Sequence, residues 1–348
     1  MRKWKFGNKV QRRDEMEIQK LLVTGGAGFI GSNFIRYLFE TYPEITVLNL
    51  DALTYAGNPD NLEGLPDGCR YTFCHGDITD EETVNGIVKE GVDAIVNFAA
   101  ESHVDRCITD PGIFVRTNVM GTRVLLDAAR EYQVKKYLQV STDEVYGTLG
   151  QKGYFTEESR LAPNSPYSAS KAGADLLVRA YHRTFGLNVN VTRCSNNYGP
   201  RQFPEKLIPL MISHAMEDQP LPVYGDGQNI RDWLYVEDHC RAIDRVLRCG
   251  ESGRVYNIGG NNERTNMEIV DLILEKLGKP RSLISFVRDR PGHDRRYAID
   301  SGRIRKELGW KPMYDFASSM EKTIDWYLHH TEWMDRICTG EYRRKQDI

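Results

Sequence analysis

The stretch Thr24-Gly25-Gly26-Ala27-Gly28-Phe29-Ile30-Gly31 constrains this chain more than any other. It joins an apolar run, Lys20-Leu21-Leu22-Val23-Thr24, that reads as a buried strand to a segment over 29–40 whose apolar residues recur at helical spacing (Phe29, Ile30, Phe34, Ile35, Leu38). A strand that turns through glycines directly into a helix gathers the first N–H groups of that helix at one point, where the helix dipole favours an anion. Gly25 then permits the tight turn, Gly28 the approach of a pyrophosphate to backbone N–H groups, and Gly31 close helix–strand packing. Asp51 ends the next strand-like run, 46–50, at about 20 residues past the glycines, where an acid meets the ribose hydroxyls of a dinucleotide. An acid there repels a 2′-phosphate, so the expected cofactor is NAD and not NADP. Asp77 and Ile78, after a third strand, suit the adenine edge. They read almost equally well as a turn in which Thr79 or Asp80 caps the helix that begins near Glu81.

Further strand-like runs at 92–98, 136–141 and 189–193 alternate with helical patterns, which implies βαβ units and a parallel sheet. The expected fold is an α/β, Rossmann-type doubly wound sheet with a smaller, mainly C-terminal α/β substrate lobe. After Tyr198 the alternation is interrupted by Pro200, Pro204, Pro209, Pro220 and Pro222. A helix at 243–247 and a strand at 255–258 then read as returns to the sheet, and further helices are expected at 267–277 and 316–329. The resulting division is a disordered basic extension (1–17), an NAD-binding domain (18–198, with returning segments near 233–262), a substrate lobe (199–232 and 263–340) and a tail (341–348).

Composition excludes several classes of function. A net charge of −3 lacks the basic excess of a nucleic-acid binder. The seven cysteines are scattered with no Cys-x-x-Cys pair, which argues against a zinc site or a disulfide framework and suits a reducing cytoplasm. No metal ligand set is expected. No run approaches the ~20 apolar residues of a membrane span. The basic arm (Arg2, Lys3, Lys5, Lys9, Arg12, Arg13) precedes Met16, a possible alternative start. It reads as a disordered extension in preference to a tether for nucleic acid or membrane.

The second strong pattern is Tyr167-Ser168-Ala169-Ser170-Lys171. Residues four apart share a helix face, so Lys171 can lie beside Tyr167. A phenol titrates near 10, and a nearby ammonium together with a positive nicotinamide would lower that value toward a usable base. Alone the pattern is weak. It gains weight from Thr142-Asp143-Glu144 at the carboxyl end of the 136–141 strand, the edge where open α/β sheets bind ligands. The Thr142 hydroxyl could bond both the phenol and a substrate hydroxyl. Dehydration needs an acid for the departing hydroxyl and a base for a carbon-bound proton, and two neighbouring carboxylates in unlike environments supply both.

With its Gly-x-x-Gly-x-x-Gly turn, Tyr-x-x-x-Lys pair and Thr-Asp-Glu element, the chain resembles the nucleotide-sugar branch of the extended short-chain dehydrogenase/reductases, and within it the dTDP-glucose 4,6-dehydratases, from about residue 20 to about 328. The resemblance implies conversion of dTDP-glucose to dTDP-4-keto-6-deoxyglucose in an internal redox cycle. Tyr167 takes the C4 hydroxyl proton while NAD⁺ takes hydride. Glu144 removes the C5 proton, Asp143 protonates the leaving C6 hydroxyl, and hydride returns to C6, so NAD stays bound throughout. It also implies cofactor contacts from Gly25, Gly28, Phe29, Ile30 and Gly31, from Asp51, Ala52, Leu53 and Thr54, and from Asp77 and Ile78. Phe98, Ala99, Ala100, Ser102, Thr117, Tyr167, Lys171 and Asn197 complete that set. Substrate contacts are implied for Ser102, Thr142, Asn196, Lys206, Leu207, Pro222, Val223, Tyr224 and Asn266, for Arg231 at the diphosphate, and for Asp289, Arg290, Pro291, Gly292 and His293. Glu101, His103 and Asp105 read evenly as functional or as loop-fixing. A homodimer is implied, with the Tyr167 helix at its interface. The same chemistry on UDP-glucose or CDP-glucose, a nucleotide-sugar 4-epimerase, and a silent NAD-binding regulator remain the rivals; the last predicts loss of catalytic residues that are all present.

Overall fold

The computed structural model describes residues 15–66, 68–289 and 294–343. Seven parallel strands form the main sheet: β1 (Lys20–Thr24), β2 (Thr46–Asp51), β3 (Tyr71–His75), β4 (Ala94–Asn97), β5 (Lys136–Thr142), β6 (Val189–Cys194) and, after three strands that belong to other sheets, β10 (Val255–Ile258). Their order is β10-β6-β5-β4-β1-β2-β3. The direction of travel across the sheet reverses at β1, so β1 and β4 flank the crevice where ligands bind such folds. The strands are near-continuous apolar runs because both faces are covered. Leu21 and Val23 point to one face, where α1 (Phe29–Thr41), α8 (Val236–Cys249) and α10 (Gly302–Leu308) pack. Leu22 points to the other, against α2 (Glu81–Val88), α5 (Thr122–Glu131) and α6 (Pro166–Phe185). Two short helices, α3 (Val104–Thr109) and α4 (Pro111–Phe114), lead through a π-helical stretch (Val115–Gly121) into α5.

A second apolar core is built by α7 (Leu207–Met216), α9 (Asn266–Leu277), α11 (Phe316–His329) and α12 (Thr331–Cys338). Around it lie β8 (Leu221–Tyr224) paired in parallel with β12 (Ile284–Val287), and a three-stranded sheet of β11 (Glu263–Thr265), β9 (Ile230–Tyr235) and β7 (Asn196–Tyr198). These two small sheets carry no clear period-2 signal, which is why proline content alone marked the region. The helix expected at 243–247 runs over Val236–Cys249, because Val236, Ile243, Val246 and Leu247 form one buried stripe.

The two ends differ from the sequence reading in their described parts. Met16 packs on the main core and its N–H donates to the carbonyl of Arg248 (2.9 Å), so ordered chain begins before residue 18; residues 1–14 lie outside the described residues. Tyr342, assigned to the tail, is buried in the second core. Among the described residues no helix is long and apolar enough to cross a membrane, and no group of three or more His, Cys, Asp or Glu is placed to hold a metal ion.

Candidate active site

A cavity of about 760 Å³ runs along the carboxyl ends of the central strands and beneath α7 and β8. Most residues expected at a cofactor or substrate line it. On one side are Gly25, Gly28, Phe29, Ile30, Gly31, Asp51, Ala52, Thr54, Asp77, Ile78, Phe98, Ala99, Ala100 and Thr117. Ser102, Thr142, Glu144, Tyr167, Lys171 and Asn197 line its centre, and Asn196, Lys206, Leu207, Pro222, Val223, Tyr224, Arg231 and Asn266 the far side.

The glycine turn fits a dinucleotide on its own geometry. Gly25 sits at φ 71°, and a Cβ there would lie 2.6 Å from the backbone N of Ala99. At Gly31 a Cβ would lie 2.4 Å from the Gly25 carbonyl oxygen, so the helix enters as close as backbone allows. Gly28 caps α1 without a side-chain bond, and the first turn of α1 holds no acid, so its N–H groups suit an anion. Asp51 accepts from the N–H of Ala27 (2.8 Å) and of Leu53 (2.8 Å), which ties the acid to the turn. Burial raises its pKa against those two hydrogen bonds. Asp77 receives the N–H of Thr79 (2.8 Å), while Asp80 caps α2 through Glu82 (3.0 Å), so turn and cavity wall are the same residues.

Around the catalytic pattern, Ser165 and Ser168 form a reciprocal capping box with Pro166 at the first helical position, fixing where α6 starts and so where Tyr167 points. The expected Tyr167–Lys171 partnership differs in detail. Lys171 Nζ donates to the Val140 carbonyl (2.7 Å), and its own pKa is lowered by burial. The Tyr167 phenol is pushed well above its ordinary value, first by burial and next by the charge of Glu144. The buried ammonium is satisfied by a strand-end carbonyl, as a charge taken out of water requires.

Asp143 also departs from expectation. Its side chain is buried behind the wall and does not open on the cavity, whereas Thr142 and Glu144 do. Thr142 Oγ1 lies 3.3 Å from Asp143 Oδ1 and receives the N–H of Glu144 (3.2 Å), so the hydroxyl sits between both acids. Burial, then Glu144 and Asp232, drive the Asp143 pKa well up, and its Oδ2 makes no hydrogen bond. Two carboxylates in unlike environments are therefore present, as the dehydration chemistry requires.

Leu53 is buried without facing the cavity, and Asp289 is an exposed residue beside Gly225 and outside the lining. Arg290, Pro291, Gly292 and His293 lie outside the described residues. Arg231 is buried, with its guanidinium held by the carbonyls of Ile230 (2.8 Å) and Asp294 (2.9 Å) over the Tyr297 ring. Sequence reasoning missed Tyr55, Asn164, Phe203, Asp294 and Tyr297 in the lining. Tyr297 and Asn164 bond to Asp294, and no spacing in the chain signals that meeting of two distant loops. His239 was also missed. It is wholly buried, held neutral with a pKa near 3 by desolvation, and bonded to Asn197 Oδ1 (2.8 Å). Asn197 Nδ2 donates to the Ser195 carbonyl (2.9 Å), so its amide is fixed at both ends. Glu101 and His103 both line the cavity and fix its loops. The backbone of Glu101 pairs with the Asn118 amide (2.9 and 3.0 Å), and His103 Nε2 meets Glu205 Oε2 at 2.9 Å.

A parallel sheet, a glycine turn with its ribose-side acid, and a buried Tyr/Lys pair opening on one cavity define an extended short-chain dehydrogenase/reductase. Residues 22–323 match the family model described as GDP-mannose 4,6 dehydratase. A dTDP-glucose 4,6-dehydratase of Xanthomonas campestris pv. campestris is 54% identical over 92% of this chain and 97% of its own length. The solved structure of DesIV, a dTDP-glucose 4,6-dehydratase from Streptomyces venezuelae with NAD bound, superposes with a TM-score of 0.89 at 50% identity, covering 92% of this chain and all of that one. The corresponding Bacillus anthracis dehydratase in complex with NAD gives 0.86 at 51% identity, over 92% and 99%. The chain belongs to the dTDP-glucose 4,6-dehydratase family.

Proposed function

We propose that this chain is an NAD-dependent hydro-lyase that converts dTDP-glucose to dTDP-4-keto-6-deoxyglucose. The observation that carries the reading is a single cavity shared by the glycine turn, Tyr167, Glu144 and Arg231. The turn and Asp51 would hold the dinucleotide, and Lys171, lining the same cavity, would bond its ribose hydroxyls. When bound, the dinucleotide supplies a reversible hydride acceptor and a positively charged ring. Tyr167 would accept the C4 hydroxyl proton once that positive ring offsets the burial and the Glu144 charge that hold its phenol protonated, with Thr142 steering that hydroxyl. The resulting ketone acidifies C5–H; Glu144 removes that proton and, once the C6 oxygen has left, C5 is reprotonated as the hydride goes back to C6, which closes the redox balance. Asp143 is the acid for the departing C6 oxygen: burial and the charges of Glu144 and Asp232 raise its pKa and favour its protonated form, and the Thr142 hydroxyl is its link to the cavity. Arg231 faces the diphosphate as a buried cation, where a guanidinium fork suits phosphate oxygens.

The purified protein should release the 4-keto product from dTDP-glucose, with UDP-glucose as the comparison. Turnover of UDP-glucose alone would reassign the nucleobase, and turnover of neither would end the reading. Tyr167→Phe should abolish reduction of the bound dinucleotide. Asp143→Asn with Glu144→Gln should keep C4 oxidation and lose water elimination by about a hundredfold or more, the usual scale of a general acid–base contribution.

The assembly is a homodimer in this reading. Ile113, Val115 and Met120 on the helical run 111–131 and Leu176 on α6 are 41–53% exposed. With exposed Ala169 and Ala180 they form an apolar face over two packed helices, half of a four-helix bundle. Seven cysteines, none joined in a disulfide, support a reducing, cytoplasmic setting.

A further inference from the structure

The cavity wall after β2 is a loop in which Ala52, Thr54, Tyr55, Ala56 and Gly57 face inward. Its inner side is fastened to the glycine turn. The N–H of Asn58 (3.1 Å) and the Nδ2 of Asn61 (2.9 Å) both donate to the carbonyl of Ala27. Its outer side is fastened to α12 and the residues after it. Trp333 Nε1 donates to Asn61 Oδ1 at 3.0 Å, across 272 positions of sequence. Arg336 Nε pairs with the buried Asp60 carboxylate at 2.8 Å. The Tyr342 hydroxyl donates to the Tyr55 carbonyl at 2.6 Å. Yet Trp333, Met334, Ile337 and Tyr342 pack their apolar surface into the second core. The segment is therefore anchored in one lobe by its apolar side and bonded to the dinucleotide wall of the other by its polar side.

Tyr55 is where the two fastenings meet. Its hydroxyl is 3.2 Å from Ser102 Oγ at the cavity, and its ring stands edge-on to Phe203, which stands edge-on to Tyr342. Outward movement of the loop has to break the bonds to Trp333, Arg336 and Tyr342 together.

We propose that residues 333–342 are a clasp, and that Trp333, Arg336 and Tyr342 are positioning residues that keep the 52–61 loop shut over the dinucleotide so that it survives repeated turnovers without exchanging. The inference rests on the reading that the glycine-turn cavity holds NAD. It adds the device that retains it.

The test is dissociation of NAD from the purified holoenzyme, measured by gel filtration followed by assay of bound nucleotide, and by the release rate into excess scavenging dehydrogenase. Trp333→Phe, Arg336→Met and Tyr342→Phe together remove the three polar groups while keeping most of the buried volume. Release should accelerate by about tenfold to a hundredfold, since each of the two lost hydrogen bonds is worth about a factor of five and the lost ion pair adds to them. Activity of the diluted variant should decay with the loss of nucleotide and return on adding NAD⁺. Unchanged release from the folded triple variant, or activity loss that added NAD⁺ does not restore, would overturn the clasp. If the triple variant does not fold, Tyr342→Phe alone decides by the same rate. A parent protein that retains no nucleotide on gel filtration overturns the clasp and the proposed cofactor together. A parent that retains it without acting on dTDP-glucose overturns only the substrate.

Discussion

Asp143 carries a stability cost that follows from its chemistry. A carboxyl whose folded pKa is raised holds a proton that the unfolded chain gives up, so the fold is favoured below the ordinary carboxylate range. That advantage falls away as pH climbs toward the folded pKa. Asp143→Asn removes the titration, so its Tm should exceed the parent's at pH 7–8, with the gain shrinking as pH falls toward 4. Each tenfold change in the ionisation constant is worth about 1.4 kcal/mol, and a variant that melts below the parent at pH 8 would contradict the assignment. Gly31→Ala drives a Cβ into backbone. It should cost about 1–3 kcal/mol, the range for overpacking, and weaken NAD binding, measured by urea unfolding and by titration. The type of each site residue was legible in the chain, because glycines, a strand-end acid and a Tyr/Lys pair carry their meaning in spacing. Orientation was not. Asp143 and Glu144 are neighbours, and only the 3₁₀ turn over Asp143–Tyr146 turns one inward and leaves the other on the cavity.

At the scale of elements, β1, β2, β5 and β10 could be read to within a residue or so, because strands buried on both faces leave an apolar run with sharp ends. The segments that complete the cavity are different. β7, β8, β9 and β11 are three to six residues long, and their partners come from distant parts of the chain, so no local pattern announces them. Helix α6 serves two surfaces: one face presents Tyr167 and Lys171 to the cavity, and the opposite face exposes Leu176. Leu176→Arg puts a charge at the centre of the proposed dimer interface. Light scattering after size exclusion should show a shift from dimer to monomer, and a variant that stays dimeric would move the interface elsewhere.

For the whole molecule, the cavity is walled by two separate cores, and a ligand that bridges them should couple their unfolding. Saturating NAD⁺ should raise the Tm of nucleotide-stripped protein, by the equivalent of about 2.7 kcal/mol at a hundredfold excess over Kd. Differential scanning calorimetry should then show one transition. A melt indifferent to NAD⁺ would mean that the glycine turn binds nothing. The second core draws on segments from either side of α8 and β10, which is why a linear division of the sequence located it only in outline.

The bond between Trp333 and Asn61 also orders events in time. A nascent chain leaves the ribosome with its glycine turn well before the outer support of that turn's neighbouring loop, which is translated some 272 residues after Asn61. A polypeptide stalled before Trp333 would display a finished-looking nucleotide pocket with a loose flank. If the clasp holds the dinucleotide as proposed, stable loading has to wait for the synthesis of α12.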